Sequence, residues 1–162
     1  MRRLVTLLPL LPLATASTAY AATATSQFQV TMTLQAECKL TSASDLSFGT
    51  SGVIQTAINA TSAIGVQCTN TTPYNVGLNA GAGSGATVSL RKMTSASGAT
   101  VNYQLFRDSA RTQTWGDTIS TNTASGTGNG AVQTLTVYGT VPAQTTPAAG
   151  SYTDTVQITV TY

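Results

Sequence analysis

Few residues in this chain could do chemistry. It has no histidine, so neither a histidine-based nucleophilic triad nor a histidine metal site can be built from it. Its carboxylates are Glu37, Asp45, Asp108, Asp117 and Asp154, and no two share the spacing of a metal-binding loop. Serines are abundant, but none stands in a nucleophile elbow. Gly81-Ala82-Gly83-Ser84-Gly85 lacks the lysine of a phosphate loop. The densest group of functional side chains is Arg107, Asp108, Arg111, Trp115 and Asp117. Such charges either form an ion cluster that grips a ligand or clamp the loop around Trp115. Only 7% of the residues are charged, which favours the clamp, because nearby opposite charges usually satisfy one another. The expectation is therefore a non-enzyme with no catalytic residue, metal or cofactor.

The remaining reactive groups are Cys38 and Cys68. Whether they pair depends on the compartment. The chain begins Met1-Arg2-Arg3, continues as an apolar run from Leu4 to Leu13, and reaches the small-residue pattern Ala19-Tyr20-Ala21. That is the make-up of a signal peptide cleaved after Ala21 (residues 1–21), with an apolar run too short to cross a bilayer as a helix. In an exported chain an even cysteine count favours a Cys38–Cys68 disulfide; two free thiols are the alternative.

Export also changes the charge balance. Of seven basic residues, Arg2 and Arg3 fall in the leader, and five acidic residues face the rest. The mature chain is formally neutral. It has no basic face for nucleic acid and little charge to oppose association.

The elements that would position these groups read as strands. Residues 22–36 alternate: Ala22, Ala24, Ser26, Phe28, Val30, Met32, Leu34 and Ala36 on one parity, Thr and Gln on the other. This is the period of a strand with one apolar face, and at ~3.3 Å per residue it would reach roughly 45–50 Å. Further strand signals fall at Ile58–Cys68, Tyr74–Ala80, Val88 and Leu90, Val101–Leu105, Val132–Val141 and Tyr152–Tyr162. Leu46-Ser47-Phe48-Gly49 is a short apolar piece. Gly81–Gly85 reads as a flexible turn, and residues 120–130 and 142–150 read as loops. Short strands with turns between them point to one all-β sandwich over residues 37–162.

Its two ends do not match. The strand carrying Val156, Ile158, Val160 and Tyr162 runs to the last residue, so no hairpin partner follows to cover that edge. The N-terminal segment is a strand too many. Exchange between copies would solve both problems, with Ala24, Ser26, Phe28, Val30, Met32 and Leu34 of one copy filling the open edge of the next. Burying the four largest at ~1.5–3 kcal/mol each gives roughly 6–12 kcal/mol before entropy losses. The competing possibility is that residues 22–36 are the first strand of their own sandwich.

Four pieces together resemble the spore coat protein U domain family, which includes subunits of archaic chaperone–usher pili. They are the alternating strand leading to Cys38 with Cys68 further on; Leu46-Ser47-Phe48-Gly49; Tyr103-Gln104-Leu105-Phe106-Arg107-Asp108 followed by Arg111 and Trp115-Gly116-Asp117; and Gly150-Ser151-Tyr152-Thr153-Asp154 before the terminal strand. The resemblance implies an incomplete immunoglobulin-like β-sandwich lacking its last strand, completed by donor-strand insertion. It implies a periplasmic chaperone, an outer-membrane usher and other copies or related pilins as partners. It also implies passage through the periplasm to a surface pilus. A coat or surface-matrix protein of the same fold is the alternative. A surface- or carbohydrate-binding module, using residues 81–85 or 120–130, is a third.

Overall fold

The computed structural model describes residues 20–162. Among them there is no helix, and eight strands form two sheets. The strands are β1 (Cys38–Ala43), β2 (Ile58–Cys68), β3 (Pro73–Leu78), β4 (Arg91–Thr94), β5 (Thr100–Phe106), β6 (Ala124–Thr127), β7 (Val132–Val141) and β8 (Ile158–Thr161). The larger sheet has the order β1-β2-β7-β5-β4 and the smaller one β6-β3-β8. All pairs are antiparallel. All eight strands belong to one compact unit, Leu34–Tyr162.

Alternation decides which side chains form the core. Ile64, Val66 and Cys68 of β2, Val101, Tyr103 and Leu105 of β5, and Val137 and Val141 of β7 point inward from the larger sheet. Tyr74, Val76 and Leu78 of β3 meet them from the smaller one. Trp115 joins this core from a loop, 1% exposed, and its indole Nε1–H donates to the Val76 carbonyl at 2.8 Å. Cys38 and Cys68 face each other across β1 and β2 and are joined as a disulfide. It staples an edge strand that otherwise holds on through a single neighbour.

Leu46 and Phe48 form no strand. They lie half-buried against the core, with the Phe48 ring edge-to-face on Tyr103 at 6.2 Å between centroids. Gly139 of β7 makes room for them: a Cβ there would come within 2.8 Å of Leu46 and 3.0 Å of Phe48.

Several expectations are corrected. Residues 120–130 are not all loop, since Ala124–Thr127 is the edge strand β6, paired with β3. It carries almost no apolar side chain because its role is to pass under the Tyr74 ring, which occupies the space a Cβ on Gly126 would need. Val88 and Leu90 do not form a strand. Thr87 to Leu90 is a tight turn bonded at both ends, and β4 starts at Arg91. Leu90 is left 42% exposed while Arg91 is 0% exposed. Gly81–Gly85 is not simply a flexible turn, because the Ala82 N–H donates to the Asp154 carboxylate at 2.7 Å. Residues 22–36 are not the first strand of this sandwich: they belong to none of the eight strands, and every one of them is exposed. Alternation without a ladder partner supplies no backbone hydrogen bonds, so by itself it makes no strand.

Candidate functional site

The sandwich is open along one side. β1 has a neighbour only in β2, and β8 only in β3, so the two sheets each present an unpaired edge there. β1 and β8 come close without forming a ladder. Where they part, a cavity of about 500 Å³ reaches the inner face of the larger sheet. Ile64, Leu78, Tyr103, Leu105 and Val137 form its floor. One wall is Ala43–Leu46 with Phe48; the other is Tyr152–Val156 with Ile158. A β-sandwich normally closes such a space with side chains of its own strands. Here core residues line an open groove.

The wall formed by residues 152–157 is fixed before it enters β8. Thr153 exchanges hydrogen bonds with Thr94 at the end of β4, 2.8 and 3.2 Å. Gln157 N–H donates to Asn79 Oδ1 at 2.9 Å. Asp154 is the hub. Its Oδ2 accepts the Tyr103 hydroxyl at 2.7 Å, and its Oδ1 accepts the N–H groups of Ala82 and Thr155 at 2.7 and 2.8 Å. Gly81, in the left-handed region at φ +83°, leaves the space that this carboxylate fills. Burial pushes the Tyr103 phenol well above its ordinary pKa, and the hydrogen bond to Asp154 pushes the same way.

Behind this hub lies Arg91. Its Nε donates to Asn79 O at 2.9 Å, Nη1 to Val88 O at 2.7 Å, and Nη2 to Leu78 O at 3.0 Å and Trp115 O at 2.8 Å. Burial lowers its pKa, and Tyr103, Asp154 and Asp117 oppose that shift. A guanidinium remains protonated even so. No carboxylate lies within ion-pair distance of it: among the described residues the one ion pair is the exposed Lys39–Glu37 at 3.3 Å. Arg91 therefore ties β3, the Trp115 loop and the turn before β4 together through carbonyl groups alone.

The segment 107–117 is built differently from an ion cluster. Asp108 caps the turn that follows it, accepting from Thr112 N–H, Thr112 Oγ1 and Gln113 N–H at 2.8–3.2 Å. The Gln113 N–H, helped by Thr112, holds its carboxyl below the ordinary carboxylate value. Arg107 donates to the Thr123 carbonyl at 2.5 Å. Arg111 sits over the Tyr138 ring at 5.7 Å. Asp117 is exposed, with its backbone against Gly77. No two of these charges pair. The cation that braces Trp115 is Arg91, outside the expected set.

Comparison with known proteins fits this architecture. The model of the Spore Coat Protein U domain matches residues 24–159. The chain belongs to the Spore Coat Protein U domain family. Protein U of Myxococcus xanthus is 35% identical over 160 residues, covering 90% of this chain and 89% of its own. A chain in the crystal structure of the CsuC–CsuE chaperone–tip adhesion subunit pre-assembly complex, from archaic chaperone-usher Csu pili of Acinetobacter baumannii, superposes with a TM-score of 0.57 at 27% identity. The match covers 80% of this chain and 40% of that one.

Within this Spore Coat Protein U domain, the expected site residues separate into three places. Val156, Ile158 and Val160 are half-buried on the inward parity along the open edge, and Tyr162 ends it at 58% exposed. Phe28, Val30, Met32 and Leu34 are 88%, 85%, 83% and 77% exposed, and Ala24 and Ser26 are exposed as well. Of the expected cleavage motif, Tyr20 and Ala21 are exposed, while Ala19 and the residues before it lie outside the described residues. Arg91 and the Tyr103–Asp154 contact were not singled out from the sequence. The signal for Arg91 was present: it shares parity with Met93 in a chain with few charges to place.

Proposed function

We propose that this protein is a subunit of a chaperone–usher pilus, joined to its neighbour by a donor strand. Residues 22–36 of one copy fill the groove between β1 and β8 of the next, with Ala24, Ser26, Phe28, Val30, Met32 and Leu34 turned inward. The open groove is the observation that carries this reading. Four large apolar side chains in one exposed row support it from the other side, since soluble proteins seldom leave such a row uncovered. An inserted strand gains backbone partners on the free edge of β8 and buries its alternate side chains. The contact is head-to-tail, which builds an open filament when it does not close into a ring.

In this reading the leader ends at Ala21 and the protein crosses the periplasm. A chaperone occupies the groove there, and an usher exchanges it for the next subunit at the cell surface. The likeness to a chain in the Csu pre-assembly complex supports that route. Neither nucleic acid nor a small-molecule substrate is required. A coat or surface-matrix role for the same strand exchange is the second reading, favoured by the near full-length match to Protein U. Adjacent chaperone and usher genes would separate the two.

Deleting residues 22–35 tests the shared step. The shortened protein should fold and carry its disulfide but form no fibres by electron microscopy. Normal fibres from the deletion variant would sink the donor-strand reading.

A further inference from the structure

The Tyr103–Asp154 hydrogen bond joins two elements that the groove separates. Tyr103 belongs to β5 in the larger sheet, and its ring forms part of the groove floor. Asp154 belongs to the wall that runs into β8 of the smaller sheet. The hydroxyl and Oδ2 lie 2.7 Å apart. Tyr103 is 4% exposed, so little water competes for the bond. Oδ1 is fixed independently by Ala82 and Thr155. The carboxylate is thus held from one side and holds Tyr103 with the other.

An open groove lined with core side chains has a physical tendency to collapse, because apolar walls attract each other once water between them is lost. A collapsed groove cannot admit a strand. A directional bond between floor and wall opposes that collapse by fixing their separation. We propose that Tyr103 and Asp154 form a cross-sheet latch that holds the acceptor groove at strand width before a donor arrives. This deepens the donor-strand reading and rests on it. The two are positioning residues: they set where the wall stands, while the apolar floor and the β8 edge bind the strand.

The test uses the purified full chain and a fluorescent peptide of residues 22–36. Tyr103→Phe removes only the hydroxyl. Tyr138→Phe is the matched control: it removes a hydroxyl from a tyrosine of β7 that lies outside the groove, with its ring under Arg111 at 5.7 Å. Peptide uptake should slow about tenfold in Tyr103→Phe, the scale of one hydrogen bond to a charged group. It should stay at the unaltered rate in Tyr138→Phe. Release of bound peptide should be alike in all three proteins, because the latch acts before insertion; a loss of general stability would instead speed release. Unchanged uptake in Tyr103→Phe, or equal slowing in both variants, overturns the latch. If the unaltered protein takes up no peptide, the donor-strand reading itself fails and the latch falls with it.

Discussion

Replacing Arg91 with methionine keeps most of the side chain's length and removes all five of its N–H donors. The structure allows the cost to be worked out. Four hydrogen bonds to carbonyls are lost, those of Asn79, Val88, Leu78 and Trp115. Bonds donated by a charged group contribute about 1.5–3 kcal/mol each, so the gross loss is roughly 6–12 kcal/mol. Against this, the desolvation of a buried guanidinium, several kcal/mol, no longer opposes folding. The net expectation is a loss of about 3–5 kcal/mol, a large share of the ~5–15 kcal/mol that holds a domain together. With a slope of ~2 kcal/mol per molar urea, the unfolding midpoint should fall by roughly 2 M. Arg91→Lys keeps the charge but not the planar fork, and should recover only part of the loss. Arg107→Met is the comparison: that side chain is only half-buried and bonds a single carbonyl, Thr123, so about 1 kcal/mol is expected. Urea unfolding with the disulfide intact measures all three. An Arg91→Met protein within about 0.5 kcal/mol of the original would refute the assignment of Arg91 as the brace.

Two further outcomes follow from the same geometry. Reduction of Cys38–Cys68 should cost about 2–5 kcal/mol and loosen β1 first, read as faster amide exchange at Lys39–Ser42 than in β7; native protein whose two thiols label freely would exclude the bond. Asp108 is held below its ordinary pKa of 3.8, chiefly by the Gln113 N–H. Its contribution is therefore complete above the unfolded carboxylate value and disappears as pH falls through the lower folded one. Amide signals of Thr112 and Gln113 should shift with a midpoint below 3.8, and a midpoint above that value would reverse the sign.

Where one face of a strand packs on the core, the sequence declares it. The inward residues of β2, β3, β5, β7 and β8 are the ones their alternation singles out, because a pleated strand sends every second side chain to the same face. Two of the strands that escape notice are ones whose inward residue is not apolar. β6 pairs with β3 through a backbone that only Gly126 lets pass beneath Tyr74. The start of β4 inverts the usual rule: Arg91 is buried while Leu90, in the turn just before it, is exposed, and the reason lies in four carbonyls gathered from three segments. No local pattern encodes such a gathering. The charges at 107–117 show the same limit: their proximity in sequence suggests pairing, whereas Asp108 bonds backbone amides and Arg107 a carbonyl. The groove was legible as an edge without a partner. Its floor, drawn from four strands, was not.

Adjacent substitutions at Val30 and Thr31 test the insertion of residues 22–36 most directly. Both side chains are exposed in the free chain, so Val30→Asp and Thr31→Asp should leave its stability alike, within about 0.5 kcal/mol. Their net charge is identical. Only an assembly that buries one parity of this segment can tell them apart. In the groove of a neighbour, an aspartate at position 30 meets apolar side chains and costs several kcal/mol, while at position 31 it faces water. Electron microscopy of both exported, disulfide-bonded variants should show fibres for Thr31→Asp and none for Val30→Asp. Equal fibre yield from the two would mean that residues 22–36 do not enter the groove as a strand.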